Sequence, residues 1–574
     1  MGGSTAGLAA ALAAAREFYM DSAVAGGPRR LACLVEPTDW PGGQMTSSGV
    51  SAVDWAHHDV PVTGTRIDGF NPTPAQAGKQ ISLSRLTRQV ANNPVVFADW
   101  MERIAPAFSG SFEMSNNPGF CWVSMRCYEP EQMVGFINGS LDMLVASGNL
   151  KVFTRSVPKR ILLEGRRIKS LEIIQRTPKS VNEYSWNHRL SAILEDWYSP
   201  VETEQYSKMR IVLAPLGTSF PYVIDGSEWG ELLVLSGASY MQGVELSESN
   251  PEVTNETCGQ AFVFPVALQM AAQPVSMPAW WGTAVGKIPY PTHYSFVEPN
   301  KPFSFDDIWS YRRLRVARPP ASSRTRGVPV AAAGEISSQN WTTGNDYPYR
   351  YLFLKKADAA GQIADWKGGV DVTALAEAEV HALGWVKFFQ DNAPDAWRGR
   401  IGLSSAYGTE TGLAKVPYIR DTRRSVGISN FVLKYDDILQ GRLFADTIAV
   451  GAYAADIHAT KTPGCSLPPH VAAMNPLPKP FNLPLIAHTN RDLDNFLVAG
   501  KLMAQTFATS SATRLHPIEF GSGTGVGVAA AYLQGQQILT PSAVTDTRIA
   551  DEIRRRIASK HGPVQWRNVE AALK

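Results

Sequence analysis

The chain has 574 residues, 44% hydrophobic and 18% charged, with 54 Lys and Arg against 52 Asp and Glu for a formal net charge of +2. That length implies two or more structural units, and the even charge leaves no bulk field to hold nucleic acid or an acidic membrane surface. No run approaches 18 uninterrupted apolar residues, and the opening lacks the basic start and cleavage pattern of a secretory leader.

The chain opens on MGGSTAGLAAALAAAREFYM, a glycine-rich turn feeding an alanine-rich helix (roughly Leu8 to Asp21), followed by a Gly/Pro loop and the apolar strand LACLV at 31–35, closed by Glu36 and Pro37. Gly2, Ser4 and Gly7 occupy the three glycine positions of G-x-G-x-x-G. Small residues there let the backbone turn sharply, approach a phosphate and lay the helix against the sheet. Ser4 departs from the pattern, and its hydroxyl is expected to donate to phosphate, a contact of about 1.5–3 kcal/mol with a charged partner. Glu36 stands 29 positions beyond Gly7. A carboxylate at that strand tip accepts hydrogen bonds from an adenosine ribose and repels a 2′-phosphate, which favours FAD or NAD over NADP. A plain Gly/Ala turn and a solvated glutamate are the bland alternatives. The strand that normally feeds such a turn is central to its sheet, so the expectation is that Met1 is a displaced start and that the natural chain begins a few residues upstream.

Residues 129–147 carry helical spacing and 149–155 a strand around Val152. RILLEG and RIKSLEIIQ read as an antiparallel hairpin turned at Glu164-Gly165. A polar, Trp-containing insertion (178–208) precedes the strands RIVLAPL and YVIDGS. The stretch 238–414 is irregular, rich in Trp, Tyr and Pro, with a basic loop at 318–329, and reads as a substrate or cap region. NFLVAGK (495–501) is a strand, and GSGTGVGVAAAYLQG (521–535) reads as a second glycine-led helix, with glycines serving a close helix crossing as the lesser alternative. Cys33, Cys121, Cys127, Cys258 and Cys465 are few, odd in number and spaced unlike zinc ligands, so they read as reduced structural thiols, with a Cys121–Cys127 pair as the lesser alternative. No metal site is expected. Asn138, Asn255 and Asn340 head glycosylation triplets of the kind chance produces readily.

Taken together, VEPTDWPGGQMTSSGVSAVD (35–54), YVIDGSEWGELLVLSGASYMQGVE (222–245), YIRDTRRSVG (418–427), DTIAVGAYAADIH (446–458) and DNFLVAGKLMAQTFATSSATRLHPIEFGSGTGVGVAAAY (494–532) resemble the FAD-dependent oxidoreductases of the glutathione-reductase-like superfamily. The resemblance implies an α/β fold. A discontinuous Rossmann-like FAD-binding domain (1–58, 125–235 and 415–545) would be interleaved with an α+β substrate or cap domain (59–124 and 236–414) and followed by a helical tail (546–574). It implies FAD against Gly2, Gly3, Ser4, Thr5 and Gly7, with Glu36 and Pro37 at the ribose. Gly42, Gly43, Gln44, Met45 and Thr46 would lie beside pyrophosphate and flavin, and Val152 beside adenine. Asp225 and Gly226 would lie under the cofactor and Gly500 at the ribityl chain. A helix starting at Gly523, Thr524, Gly525, Val526 and Gly527 would point at the isoalloxazine.

For proton handling, His458, His57 and His58 are the candidates, with His516 behind them. Arg420, Arg423 and Arg424 are candidates to clamp a substrate carboxylate or to serve as ion-paired scaffold. Trp280, Trp281 and Tyr294 read as core more readily than as pocket. The implied partners are a small organic substrate and an electron acceptor such as dioxygen, with no nucleic acid and no membrane span. The function implied is oxidation or desaturation of that substrate. A flavin monooxygenase and a catalytically silent flavoprotein-fold binder are the alternatives.

Overall fold

The computed structural model describes residues 1–25, 30–62, 67, 70–104, 117–179, 182–215, 219–286, 294–298, 301–317 and 331–574. The basic loop singled out at 318–329 lies outside the described residues. Helix α1 (Thr5–Ala25) leads to strand β1 (Ala32–Val35), and helix α2 (Pro130–Ala146) to strand β2 (Leu150–Phe153). β1 and β2 pair in parallel, Ala32 opposite Leu150 and Val35 opposite Phe153. Strands β3 (Ser156–Glu164), β4 (Arg167–Pro178) and β5 (Tyr206–Leu213) form an antiparallel meander, against which helix α3 (Leu190–Tyr198) buries Ile193, Leu194 and Trp197. Glu164 pairs with Arg167, so the hairpin turns one residue later than the sequence suggests. Strand β6 (Val223–Asp225) follows.

The middle of the chain builds a four-stranded antiparallel sheet from β7 (Val266–Met270), β8 (Arg313–Arg315), β9 (Ile336–Gln339) and, after helix α4 (Val372–Asp391), β10 (Ile401–Leu403), in the order β8-β9-β7-β10. Asp371 caps α4 by accepting from the backbone N–H of Thr373 and Ala374. Trp385 and Phe389 of α4 join Ile173, Leu233 and Trp366 in one large apolar core. Trp280 stacks on Trp186 and Tyr294 packs on His381, so both are packing residues.

The last part adds the antiparallel pair β11 (Thr447–Gly451) and β12 (Phe481–Pro484). It ends with strand β13 (Phe496–Val498) and helices α5 (His516–Gln536) and α6 (Thr547–Lys560). β13 pairs in parallel with β6. Residues 1 and 2 lie between the two parallel pairs: the Gly2 N–H donates to Val35 O, the Met1 amine to Ile224 O, and the Gly226 N–H to Met1 O, each at 2.8 Å. α6 docks on α1 through Arg556 and His561, at 2.6 and 2.9 Å from the Glu17 carboxylate.

Two readings of the sequence are corrected here. Cys121 is bonded to Cys127, and Cys258 to Cys465 across 207 positions; Cys33 alone is free, and exposed. The longer pairing arises from the tertiary approach of two distant loops, which spacing in the sequence does not encode. The glycines of 521–535 do not begin a helix. α5 starts at His516 with Pro517 in its first turn, where a missing N–H is harmless, so Gly523, Gly525 and Gly527 lie in its interior. A Cβ on Gly523 would stand 2.0 Å from Ala6 O, on Gly527 2.3 Å from Ala10 O, and on Gly525 2.7 Å from Ile448 O. The glycines let α5 press against α1 and β11. Val526 is packed in the same core, and the Thr524 hydroxyl donates to Phe520 O within the helix.

Candidate active site

The first turn is tightly fixed. Gly2 has φ +81°, and a Cβ there would stand 2.3 Å from Ser227 Cα; on Gly3 it would stand 2.1 Å from Glu36 Oε2, and on Gly7 1.9 Å from Gly2 O. Gly7 also lies against Gly226, the close helix-to-strand approach the pattern calls for. The Ser4 hydroxyl donates to Gly226 O at 2.5 Å and accepts from the Gly7 N–H at 3.1 Å. It therefore caps α1, and the expected donation to phosphate is replaced by this internal role. The Thr5 hydroxyl donates to Gly42 O, and the Gly42 N–H donates to Gly3 O, so the 42–46 loop closes over the turn. Gly42 and Gly43 have φ of +122° and +55°. Met45 is fully buried, and the Thr46 hydroxyl donates to Pro41 O.

Glu36 is buried at the tip of β1, with Oε1 accepting from the N–H and hydroxyl of Thr38 at 2.8 and 2.6 Å. Burial pushes its carboxyl up to about 7. Pro37 O accepts from Arg176, and Val152 lies beside Leu34 in the neighbouring strand. Asp225, at the end of β6, accepts from the N–H groups of Ser227 and Leu232 and so fixes the turn beneath the glycines. Trp197, Tyr198 and Glu231 face this cradle, and the slot between holds about 480 Å³ of unfilled space, its mouth included.

Beyond the slot lie groups that bind each other incompletely. Lys501 Nζ is 2.6 Å from Glu228 and 3.4 Å from Glu519, and Gln44 Nε2 donates to Arg514 O. Burial pushes Glu519 up to about 7, although Lys501 opposes it. Gly500 (φ +65°) donates to Ser522 Oγ and touches Ala6 and Glu519. Gln44 Oε1, Ser48 Oγ, Ser51 Oγ, Glu228 Oε1 and Arg514 Nε are buried without hydrogen-bond partners among the described residues, a cost normally met by a ligand or water. His516 opens α5 here. Burial pushes its imidazole down to about 4, and it braces Val50 O at 2.9 Å.

His458 sits next to this region. Its Nδ1 is 2.6 Å from Asp346 and its Nε2 3.1 Å from Asp456. Burial and Arg420 disfavour the imidazolium, but the two carboxylates outweigh them and the net shift is upward. Arg420 is 2.8 Å from the other oxygen of Asp346. Arg514 reaches Asp456 at 3.1 Å and donates to the Tyr418 hydroxyl at 2.7 Å.

The other candidates separate from this group. Arg424 is fully buried between Asp421, Glu245 and Gln505 O, and Arg423 is bonded to carbonyls of Trp229 and Gly369; both are scaffold, with no free face for a substrate. His58 binds Pro478 O, and His57 is exposed at the edge of the Tyr453 ring. Neither shares a hydrogen bond with His458 among the described residues. Asp456 and Arg514 lie in sequence blocks already singled out. So does Tyr453, whereas Asp346 and Arg312 carry no motif.

A mixed α/β fold with a glycine cradle, a buried acid at the strand tip and unpaired polar groups near a charged cluster has the features of a dinucleotide-cofactor enzyme. The profile of the family described as FAD dependent oxidoreductase matches residues 1–185 and 187–557. The chain belongs to that family: it is an oxidoreductase, and its cofactor is FAD. A comparison with curated proteins gives no match. Among solved structures, a variant of FrdA of E. coli quinol fumarate reductase is similar at 11% identity over 97% of this chain and 73% of that one, with a TM-score of 0.29. The cradle, which any Cβ would fill, and the orphaned polar atoms beyond it fit an elongated polar cofactor. Among the described residues no helix is long and apolar enough to cross a membrane.

Proposed function

We propose that the chain is a Rossmann-like flavoenzyme of the glutathione-reductase type that oxidises or desaturates a small organic substrate, with residues 59–124 and 236–414 as its cap. Gly2, Gly3 and Gly7 with the N-terminus of α1 would receive the pyrophosphate, Glu36 the ribose, and the backbone at Val152 the adenine. Gly42–Thr46, Asp225–Gly226 and Gly500 would follow the rest of the cofactor. The α5 N-terminus at His516, rather than Gly523–Gly527, would face the flavin. The observation that carries this reading is the set of unpaired buried atoms on Ser48 and Glu228, which line the slot with Gly2 and Gly3, on Gln44, which donates to Arg514 O, and on Arg514, which shares Asp456 with His458. When bound, FAD would supply the redox chemistry, as a hydride acceptor at N5 that dioxygen or another acceptor would reoxidise.

The protein's own part is positioning and proton handling. Asp346 holds His458 at Nδ1, and Asp456, half exposed, is the partner that a substrate can displace from Nε2. His458 then holds or exchanges a proton with the substrate at Nε2. Anaerobic screening of small amines, alcohols, sugar-like compounds and organic acids for flavin bleaching tests the proposal. Bleaching by one of them, slowed in His458→Ala at unchanged FAD content, supports it; a chain that binds FAD but is bleached by no donor in the screen counts against it.

A further inference from the structure

Arg312 stands at the cap side of the His458 cluster, at the end of the short helix Phe305–Tyr311. It is 8% exposed, and among the described residues its one carboxylate neighbour, Asp54, is at 3.5 Å. Its Nε and Nη1 are buried and have no acceptor among the same residues. Arg514, 3% exposed, approaches from the segment before α5 and has an unaccepted Nε. The two guanidinium groups share Tyr418 and Tyr453 as neighbours, and Arg420, Lys501 and Arg514 lie 5.5, 5.7 and 5.9 Å from the centre of the Tyr418 ring.

Lys501 lies between Glu228 and Glu519. Arg312, Arg420 and Arg514 are set against Asp54, Asp346 and Asp456, yet among the described residues Nε and Nη1 of Arg312 and Nε of Arg514 have no acceptor. Buried guanidinium N–H groups without acceptors are costly, and a planar carboxylate matches their fork geometry. The half-exposed Asp456 marks the side open to solvent.

We infer that the substrate of this enzyme is an organic carboxylate, whose anionic group is bound between Arg312 of the cap and Arg514 at the start of α5. This rests on the oxidoreductase reading above and assigns its substrate class. Arg312 belongs to the substrate side of the junction. A role confined to offsetting charge on the reduced flavin would leave anion binding to the oxidised enzyme unaffected.

The test uses oxidised, FAD-loaded enzyme and follows the flavin absorption band during titration with acetate, malonate and benzoate, each paired with its neutral amide. Saturable perturbation by at least one carboxylate and not by its amide is expected. It should weaken at least about tenfold in Arg312→Ala and be partly restored in Arg312→Lys. The wild-type carboxylate and amide pairs need no variant and so remain decisive if Arg312→Ala fails to fold. Equal response to acid and amide, no response to any carboxylate, or undiminished binding by a folded Arg312→Ala overturns the inference. If only uncharged compounds bleach the flavin, the carboxylate assignment fails while the oxidoreductase reading stands; if no FAD is held, that broader reading fails first.

Discussion

Asp346 and His458 meet at 2.6 Å, carboxylate to Nδ1, across 112 positions of sequence, and the same carboxylate holds Arg420 through its other oxygen. Burial and Arg420 push His458 down, and Asp346 is the first group that pushes it up. Asp346→Asn should therefore lower the pKa of His458. The pH at which anaerobic flavin reduction changes rate should move down with it, with FAD content unchanged. Stopped-flow reduction across pH reads this directly, and an unmoved profile removes His458 from proton handling.

Glu36 predicts how FAD affinity depends on pH. Its carboxyl is raised to about 7 in the free protein, chiefly by burial. A ribose donating to it would favour the charged form, so FAD binding should release a proton. Affinity should then fall by up to about tenfold per pH unit below 7 and level off above it. For the stability of the free protein the sign is opposite. The folded value exceeds the ordinary 4.5, so the contribution of Glu36 is full below that value and is lost as pH rises through about 7. Glu36→Gln should bind FAD more weakly and without this slope, as fluorescence titration would show.

Two glycines separate cofactor binding from packing. Gly523→Ala drives a methyl into Ala6 O and should cost about 1–3 kcal/mol or more of stability by overpacking, with FAD affinity lost only in proportion to unfolding. Gly3→Ala meets the Glu36 carboxylate and should lower FAD affinity in protein that remains folded. Thermal unfolding and flavin titration of the two variants distinguish these outcomes.

The Cys258–Cys465 bond staples the strap that carries His458. Thr460 of the strap accepts from the Gly259 N–H, and the Ala261 N–H donates to His458 O. Cys258→Ser with Cys465→Ser should destabilise the protein by about 2–4 kcal/mol and slow substrate-driven bleaching. Reductant should lower the melting temperature of the native protein towards that of the double variant.

Much of the framework was legible in the sequence. The alanine run of α1, the apolar run of β1, the spacing in α2 and the alternation in β3 and β4 each follow from local periodicity. What escaped depends on distant contact. Ser4 reads as a phosphate donor until Gly226 is seen beside it. The glycines of α5 read as a helix start because open turns and helix crossings both need missing side chains, and only the neighbours Ala6 and Ala10 tell them apart. Asp346 and Arg312 sit in irregular chain with no periodic signal. The choice among Arg420, Arg423 and Arg424 could not be made from IRDTRR, because it depends on which carboxylate each one reaches.

The crossing of α1 and α5 has a consequence for biosynthesis. Ala6 and Ala10 leave the ribosome well before the helix that covers them, which is translated more than five hundred positions later, a delay of roughly half a minute or more at about 5–20 residues per second. Helix α1 must wait in the growing chain, exposed to chaperones, until α5 has been made. The crossing beside the cofactor cradle therefore closes only when these two distant segments are brought together.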